Sequence, residues 1–214
     1  VTCMISRRAD ATDGEPRVAG AGAQGTKGVR AGAVVDLDNL ERSIRLAVEQ
    51  AERAADLRVT DVVLGVSGPD LRSDVVRAKL PMGGREITAQ HIRDARIAAL
   101  ESFQPQGREI LHSAPLGFTV DSTAGIKDPR GMFAETLTAS YLVVSAPTAG
   151  LRNIVQCVSR AHLNPTAILA APFAAGLACL VEDEAEQGAM VIDFGAGVTS
   201  AAAFSDGGLV HVET

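Results

Sequence analysis

The stretch Val191-Ile192-Asp193-Phe194-Gly195-Ala196-Gly197-Val198-Thr199 decides the fold predicted for this chain of 214 residues. It consists of an apolar run, an aspartate, two glycines one residue apart and a second β-branched run. This order predicts two strands joined by a tight hairpin, because glycine lets the backbone of a turn bend closely. Backbone N–H groups in such a turn can converge on one anion. An ordinary hairpin with glycine in its turn is the alternative interpretation.

Asp193 stands at the end of the first of these two predicted strands. A carboxylate there can hold the water shell of Mg²⁺, since this ion keeps several waters and uses few protein oxygens. Together with the N–H groups of the turn, Asp193 would form a clamp for a phosphate and its metal. The clamp differs from a Walker loop, which needs a lysine, and from a Rossmann loop, which leads into a helix.

Outward from this stretch, the spacing of apolar residues divides the chain into segments with two different patterns. Residues 1–68 and 146–187 read as buried strands alternating with apolar helices, as in a sheet covered by helices. Residues 69–145 read instead as strand, helix, strand and strand, with the helix beginning after Thr88. Residues 188–214 return to further strands. We therefore predict an α/β fold interrupted by an inserted small α+β unit.

Local signals add expectations at the ends of these elements. Asp38 and Glu41 have the spacing of a capping box, and Pro172 suits the first position of a helix. Short, rigid junctions are expected where the inserted unit begins and ends, at Gly68-Pro69 and Ala146-Pro147. Three further segments are predicted as a turn, a polar loop and an acidic solvated turn, respectively Pro81–Gly84, Asp121–Gly131 and Glu182–Gln187.

Composition excludes several classes of function. Hydrophobic residues make up 46% and charged residues 21% of the chain, which is a globular composition. The formal net charge is −6 and no cluster of Lys or Arg stands out, so we expect no nucleic-acid partner. No apolar run reaches the roughly 18 residues of a membrane span. Val1–Arg8 lacks the pattern of a signal peptide, so we expect a soluble, cytoplasmic protein.

The remaining reactive side chains give no pattern of a metal or catalytic site. The thiols of Cys3, Cys157 and Cys179 are isolated in sequence, and Cys157 and Cys179 are predicted to be small core residues in a reducing compartment. Four histidines are widely spaced and predicted to lie at the surface or to cap backbone groups: His91, His112, His162 and His211. No catalytic residue is predicted.

Two motifs resemble those of a known superfamily. Asp193–Thr199 resembles the second phosphate loop of the actin, Hsp70 and hexokinase superfamily, whose pattern is D-x-G-x-G-x-T. Pro172–Ala178 resembles its first connecting helix. Five further stretches resemble FtsA, a bacterial cell-division family of this superfamily: Gly32–Asp36, Gly84–Thr88, His112–Phe118, Gly125–Met132 and Leu151–Asn153. The resemblance covers essentially the whole chain.

The resemblance implies an actin-like (ribonuclease H-like) fold. In it, residues 1–68 and 146–187 would form subdomain IA, 69–145 the inserted subdomain IC of the SHS2 type, and 188–214 the start of subdomain IIA. The first phosphate loop, the adenosine loop, subdomain IIB and the C-terminal membrane helix of the family are expected outside this chain. The full-length parent is then expected to bind ATP and Mg²⁺, with none bound to this fragment. The implied contacts are Asp193 (to the metal through water), Phe194, Gly195, Ala196, Gly197, Val198 and Thr199.

The resemblance also implies a function that is structural rather than enzymatic. The parent would link FtsZ filaments to the inner membrane, assemble with itself as a filament and recruit later division proteins through residues 69–145. It would be peripheral on the cytoplasmic face at the division site. Weak or no ATPase is expected, since Ala171 stands where relatives carry the Glu or Gln that positions water. The alternatives are a PilM-like type IV pilus assembly protein and, less favoured, an enzyme of the sugar-kinase type.

Overall fold

The computed structural model describes residues 1–7, 16–68 and 70–214. Arg8 and Pro69, on which two of the predictions partly rest, lie outside the described residues. The chain forms two compact units. The first comprises Val1–Leu64 and Ala149–Ile168, and the second comprises Gly65–Thr148 and Leu169–Thr214.

The first part of the chain consists of these elements in order: β1 Thr2–Arg7, β2 Arg17–Ala23, β3 Val29–Arg30, β4 Ala33–Val34, α1 Leu37–Ala55, β5 Asp61–Val66, β6 Arg72–Glu86, α2 Ala89–Glu101 and β7 Arg108–Val120. The second part continues with β8 Thr123–Ile126, β9 Phe133–Pro147, α3 Thr148–Arg160, β10 Asn164–Ala170, α4 Ala171–Cys179, α5 Glu182–Gln187, β11 Ala189–Phe194, β12 Thr199–Ser205 and β13 Gly208–Glu213.

In the first unit, helix α1 packs unusually close to strand β2. A Cβ atom added at Gly20 would lie 2.3 Å from the carbonyl oxygen of Ala51, and one at Gly22 would lie 2.0 Å from that of Ala47. Glycine is therefore required at both positions, because only a residue without a side chain lets the two backbones approach this far. The apolar face of α1 packs in a core whose buried members are Leu40, Ile44, Val48, Cys157, Val158 and Leu163.

The N-cap of helix α1 lies two residues earlier than the capping box predicted from the sequence. The N-cap is Asp36, whose carboxylate accepts a hydrogen bond from the Asn39 N–H at 2.9 Å. This bond lowers the pKa of Asp36 below its usual value, because it favours the ionised carboxylate. The predicted capping box of Asp38 and Glu41 is wrong, and both carboxylates instead form ion pairs with Arg160 of α3, at 2.5 and 3.0 Å.

The second unit is built on a seven-stranded sheet of strand order β11-β12-β13-β6-β9-β7-β8. β9 lies between β6 and β7 and pairs antiparallel with both. Helix α2 begins after Thr88, as predicted, and covers one face of these three strands. The core beneath it is apolar, and its fully buried members are Ile87, Ala95, Ala99, Leu137, Ala139 and Val143.

Three predicted connections are wrong. Pro81–Gly84 is not a turn but an irregularity inside the continuous strand β6, where the register with β9 shifts between Pro81 and Arg85. The loop Asp121–Gly131 contains strand β8, which pairs with β7. Glu182–Gln187 is the short helix α5 rather than an irregular turn, with three acidic residues in its first turn, where the helix dipole favours negative charge.

Two single-residue expectations also differ from the structure. Cys157 is buried as predicted, whereas Cys179, at the last position of α4, is exposed. Pro172 is the second residue of its helix rather than the first, because α4 begins at Ala171. Both differences arise at the ends of a short helix, where sequence signals fix boundaries least well.

A buried arginine lies at the start of β7. The Arg108 guanidinium donates to the Asp70 carboxylate at 2.5 Å and to the Asp70 carbonyl at 2.6 Å. It also donates to the Ser145 hydroxyl at 3.0 Å and to the Ser145 carbonyl at 2.9 Å. The cation therefore joins the start of β7, the end of β9 and the residue that lies two positions before β6.

The close approach of α1 to β2 yields a stability prediction. Gly22→Ala should lower the free energy of unfolding by about 1–3 kcal/mol, because the added methyl group forces helix and strand apart. Gly25→Ala is the matched control, since nothing lies within 4 Å of a Cβ there. Urea unfolding followed by circular dichroism measures both. Equal midpoints for the two variants would contradict the observed backbone approach.

Candidate phosphate-binding hairpin

The stretch that decides the fold forms the hairpin that its sequence predicts. Strands β11 and β12 pair antiparallel up to Phe194 and Thr199. The four residues between them are closed by one bond, in which the Gly195 N–H donates to the Val198 carbonyl at 3.0 Å. The hairpin thus presents a short, exposed turn at the end of the sheet.

Gly195 is needed in this turn for a steric reason. A Cβ there would lie 2.7 Å from the Val198 carbonyl oxygen. Because its own N–H is already bonded inside the turn, Gly195 cannot donate to an anion. The N–H groups of Ala196 and Gly197 donate to no backbone carbonyl within the described residues. An anion at this turn would therefore meet the amides of Ala196 and Gly197.

Two side chains with oxygen atoms, Asp193 and Ser200, lie beside the turn. Asp193 is half-buried and lies directly across the strand pair from Ser200. No hydrogen bond or ion pair engages the Asp193 carboxylate in the part of the chain that the structure describes. The buried hydroxyl of Ser200 likewise has no hydrogen-bond partner there. A carboxylate and a hydroxyl without partners are hard oxygen ligands, so the residues present fit a hydrated Mg²⁺ beside a phosphate.

Sequence reasoning did not single out Ser200. Its signal lies only in the strand pairing, which brings it opposite Asp193. The remaining members of the predicted site differ in their exposure: Phe194 is 80% exposed and Thr199 is also exposed, whereas Val198 is half-buried. The turn Gly195–Val198, the hydroxyl of Thr199 and the pair Asp193 and Ser200 are the parts of the hairpin that can meet a ligand through polar atoms.

Helix α4 is held against this hairpin by aromatic rings. The Phe204 ring lies on Gly176, where an added Cβ would be 2.2 Å from ring atoms. Phe173 stacks on Phe204 with a centroid distance of 6.3 Å, and His112 contacts Phe173 at 4.9 Å. The motif that resembles the connecting helix therefore packs on Phe204 of β12, the strand that follows the motif resembling the phosphate loop.

His112 has a specific role in this packing. Its Nε2 accepts a hydrogen bond from the Ala170 N–H at 2.9 Å, immediately before α4 begins. The ring is half-buried rather than at the surface, so it matches the capping alternative of the prediction. Burial lowers the pKa of His112 below its usual 6.5, because the imidazolium would be poorly solvated.

Two negative findings apply to the described residues. No three His, Cys, Asp or Glu side chains among them are grouped so that they could hold a metal ion. None of the described helices is long and apolar enough to cross a membrane.

Comparison with known sequences identifies the inserted unit and the surrounding chain. Residues 68–145 match the family model described as "SHS2 domain inserted in FTSA". The cell division protein FtsA of Agrobacterium fabrum strain C58 is 39% identical over 221 residues, which cover 100% of this chain and 50% of that protein. FtsA of Neisseria meningitidis is 30% identical over 93% of this chain and 48% of its own length. The chain spans about half the length of the curated relatives it matches.

Comparison with solved structures adds evidence for the fold. The chain is similar to a chain of the PilM-PilN type IV pilus biogenesis complex with a TM-score of 0.61, covering 99% of this chain and 57% of that one. Sequence identity is 17%, so this likeness supports the fold alone. The fold and the insertion define an actin-like protein that carries an SHS2 domain.

The sequence relatives then select the family within that class. The chain belongs to the FtsA family of bacterial cell-division proteins. The alternative of a PilM-like pilus protein is less favoured, since its likeness lies in the fold, whereas the FtsA relatives match in sequence along the chain.

The hydrogen bond of His112 predicts a pH-dependent stability. The folded state holds the pKa of His112 below 6.5, so the unfolded chain takes up this proton first as the pH falls. The stabilisation is complete above the unfolded pKa and is lost as the pH falls towards the folded one. The loss of stability between about pH 7.5 and 5.5 should be smaller in His112→Gln, which keeps an acceptor that cannot titrate.

Urea midpoints of both proteins at the two pH values measure this difference. A parallel loss of stability in the two proteins would show that His112 does not carry this part of the pH dependence.

Proposed function

We propose that the full-length protein is a cell-division adaptor that binds Mg-ATP in its actin-like body and recruits other division proteins through its SHS2 lobe, residues 69–145. The observation that carries this proposal is the 39% identity to an FtsA sequence along the whole chain. The proposed partners are FtsZ, further copies of the protein, later division proteins and the cytoplasmic face of the inner membrane.

The nucleotide part of the proposal rests on the hairpin. The Ala196 and Gly197 amides would receive a phosphate, and Asp193 would hold Mg²⁺ through its water shell. The phosphate groups of bound ATP would lie at this turn, and the residues of the hairpin would orient them. We expect weak or no ATPase activity, because Ala171 at the start of α4 has no side-chain acceptor to orient an attacking water.

The recruiting part of the proposal rests on the independence of the lobe. The core beneath α2 is formed by residues 76–143 alone, so the lobe does not need the hairpin for its own packing. The surface of the lobe also carries charges of both signs, with exposed cations and anions on its strands and on α2. A packed unit that contributes no residue to the hairpin suits contacts with other proteins.

The first test concerns Asp193 in the full-length protein. Asp193→Asn should weaken Mg-ATP binding roughly 10–100-fold, since it removes the negative charge that orders the metal's waters. Asp206→Asn is the matched control, because this exposed aspartate lies in the next hairpin turn, away from the predicted clamp. Titration calorimetry with Mg-ATP measures both. Equal affinities in Asp193→Asn and the parent would refute the assignment of the clamp.

The second test separates recruitment from nucleotide binding. Replacing residues 70–144 of the full-length protein with a short linker should abolish recruitment of later division proteins while Mg-ATP binding persists. The hairpin and the Phe173–Phe204 contact remain, and α4 loses only its contacts to His112. Fluorescence microscopy of a labelled late division protein and calorimetry give the two readouts. Loss of nucleotide binding with recruitment intact would reverse the roles assigned to the two parts.

A further inference from the structure

The lobe contains a strand edge that is left open over a defined length. β6 pairs with β9 on one side, whereas on the other side β13 meets it at Arg72 alone, opposite Glu213. The hydroxyl of Ser73 accepts from the Val212 N–H at 2.9 Å and donates to the Val212 carbonyl at 3.1 Å. This side chain takes the place of the next backbone partner and ends the ladder.

The other end of the open edge is closed by the chain itself. Pro81 has no N–H to offer a neighbouring strand. Beyond it the register shifts, and the Arg85 Nε donates to the Met82 carbonyl at 2.8 Å. Between these two ends, the outer edge of Asp74–Leu80 has no strand partner in the part of the chain that the structure describes. Seven extended residues span about 23 Å.

The charged side chains on the outer face of this edge are all positive. Val76, Ala78 and Leu80 face the core under α2, so Arg77 and Lys79 lie on the opposite face, where both are exposed. Their cross-strand neighbours on β9 are Ser140 and Thr138, which carry no charge. Neither cation forms an ion pair with a described residue. This face of the edge is therefore basic, although Asp74 lies on the other face and the whole chain has a net charge of −6.

We propose that the open edge of β6, Asp74–Leu80, binds an extended acidic segment of a partner protein by strand addition. Main-chain bonds to an open edge provide affinity, and alternate side chains provide specificity. The segment would carry Asp or Glu at every second position, opposite Arg77 and Lys79. A second copy of β6 is a poor occupant, because antiparallel self-pairing brings these cations together. The proposal rests on the recruiting role proposed for the lobe and names its site.

The experiment uses the 214-residue chain and a defined probe. The probe is an eight-residue peptide with alternating Val and Glu and with both ends blocked. A peptide with Lys in place of every Glu is its control. Hydrogen exchange of the proteolytic fragment that covers residues 72–80 is followed by mass spectrometry. At ten times its Kd, the glutamate peptide should slow hydrogen exchange of the outward amides roughly tenfold. The reason is that these amides exchange only in the fraction of protein without bound peptide.

Variants locate the effect on the edge. Lys79→Glu should weaken binding of the glutamate peptide about tenfold and reverse the preference towards the lysine peptide. Lys127→Glu is the matched control, because it makes the same change beyond β8, at the opposite side of the lobe sheet, and breaks only an exposed ion pair with Asp206. It should leave binding unchanged.

Three outcomes would overturn the proposal: no binding of the glutamate peptide at millimolar concentration, equal protection by both peptides, and binding that leaves residues 72–80 unprotected. The last would indicate attraction by charge without strand addition.

The recruiting role proposed for the lobe is tested separately from its open edge. If replacing residues 70–144 abolishes recruitment while exchange at β6 is unaffected by peptide, the recruiting lobe stands and the edge proposal falls. If that replacement spares recruitment, the recruiting role fails, and the exchange result still decides the edge.

Discussion

The buried guanidinium of Arg108 is the interaction that holds the two ends of the inserted chain together. An arginine buried without partners would cost several kcal/mol, yet here four acceptors from Asp70 and Ser145 surround it. Asp70 adopts a left-handed backbone conformation, with φ of 62°, and offers both its carboxylate and its carbonyl. The planar, forked donor set of arginine suits such an arrangement, which a lysine could not satisfy. The point where the inserted chain begins and ends is therefore fixed by directional bonds.

The same sheet joins the lobe to the hairpin of the candidate site. β13 is paired with β12 along its length and with β6 at one residue, so the ladder continues from the hairpin into the lobe and stops at Ser73. This single polar side chain has two consequences. It satisfies the backbone of Val212, and it leaves the rest of β6 without an outer neighbour.

The sequence predicted the elements whose signals are local. The hairpin at Asp193–Thr199 and the helix after Thr88 follow from turn glycines, capping and periodicity, and the structure contains both. The turn predicted at Pro81–Gly84 is wrong, although proline and paired glycines usually mark a turn. Here, pairing with the fifteen-residue strand β9 outweighs that local preference and absorbs the residues as an irregularity.

Contacts between distant residues could not be predicted in the same way. His112 and Ala170 are 58 positions apart, and their bond depends on how β7 meets the start of α4. Ser200 matters through its place opposite Asp193, which requires the register of the hairpin to be known. Residue types at the candidate site were therefore predictable, whereas the partners that orient them were not.

The central position of β9 has a consequence for the order of folding during synthesis. β6 and β7 leave the ribosome before β9, yet they do not pair with each other. Apart from the short hairpin of β7 with β8, each finds its long partner only when Phe133–Pro147 has emerged. Until then, two long strands and the apolar face of α2 stay exposed, a state that favours aggregation. Closing the lobe is thus a single late event, in which one strand completes both ladders and buries the core.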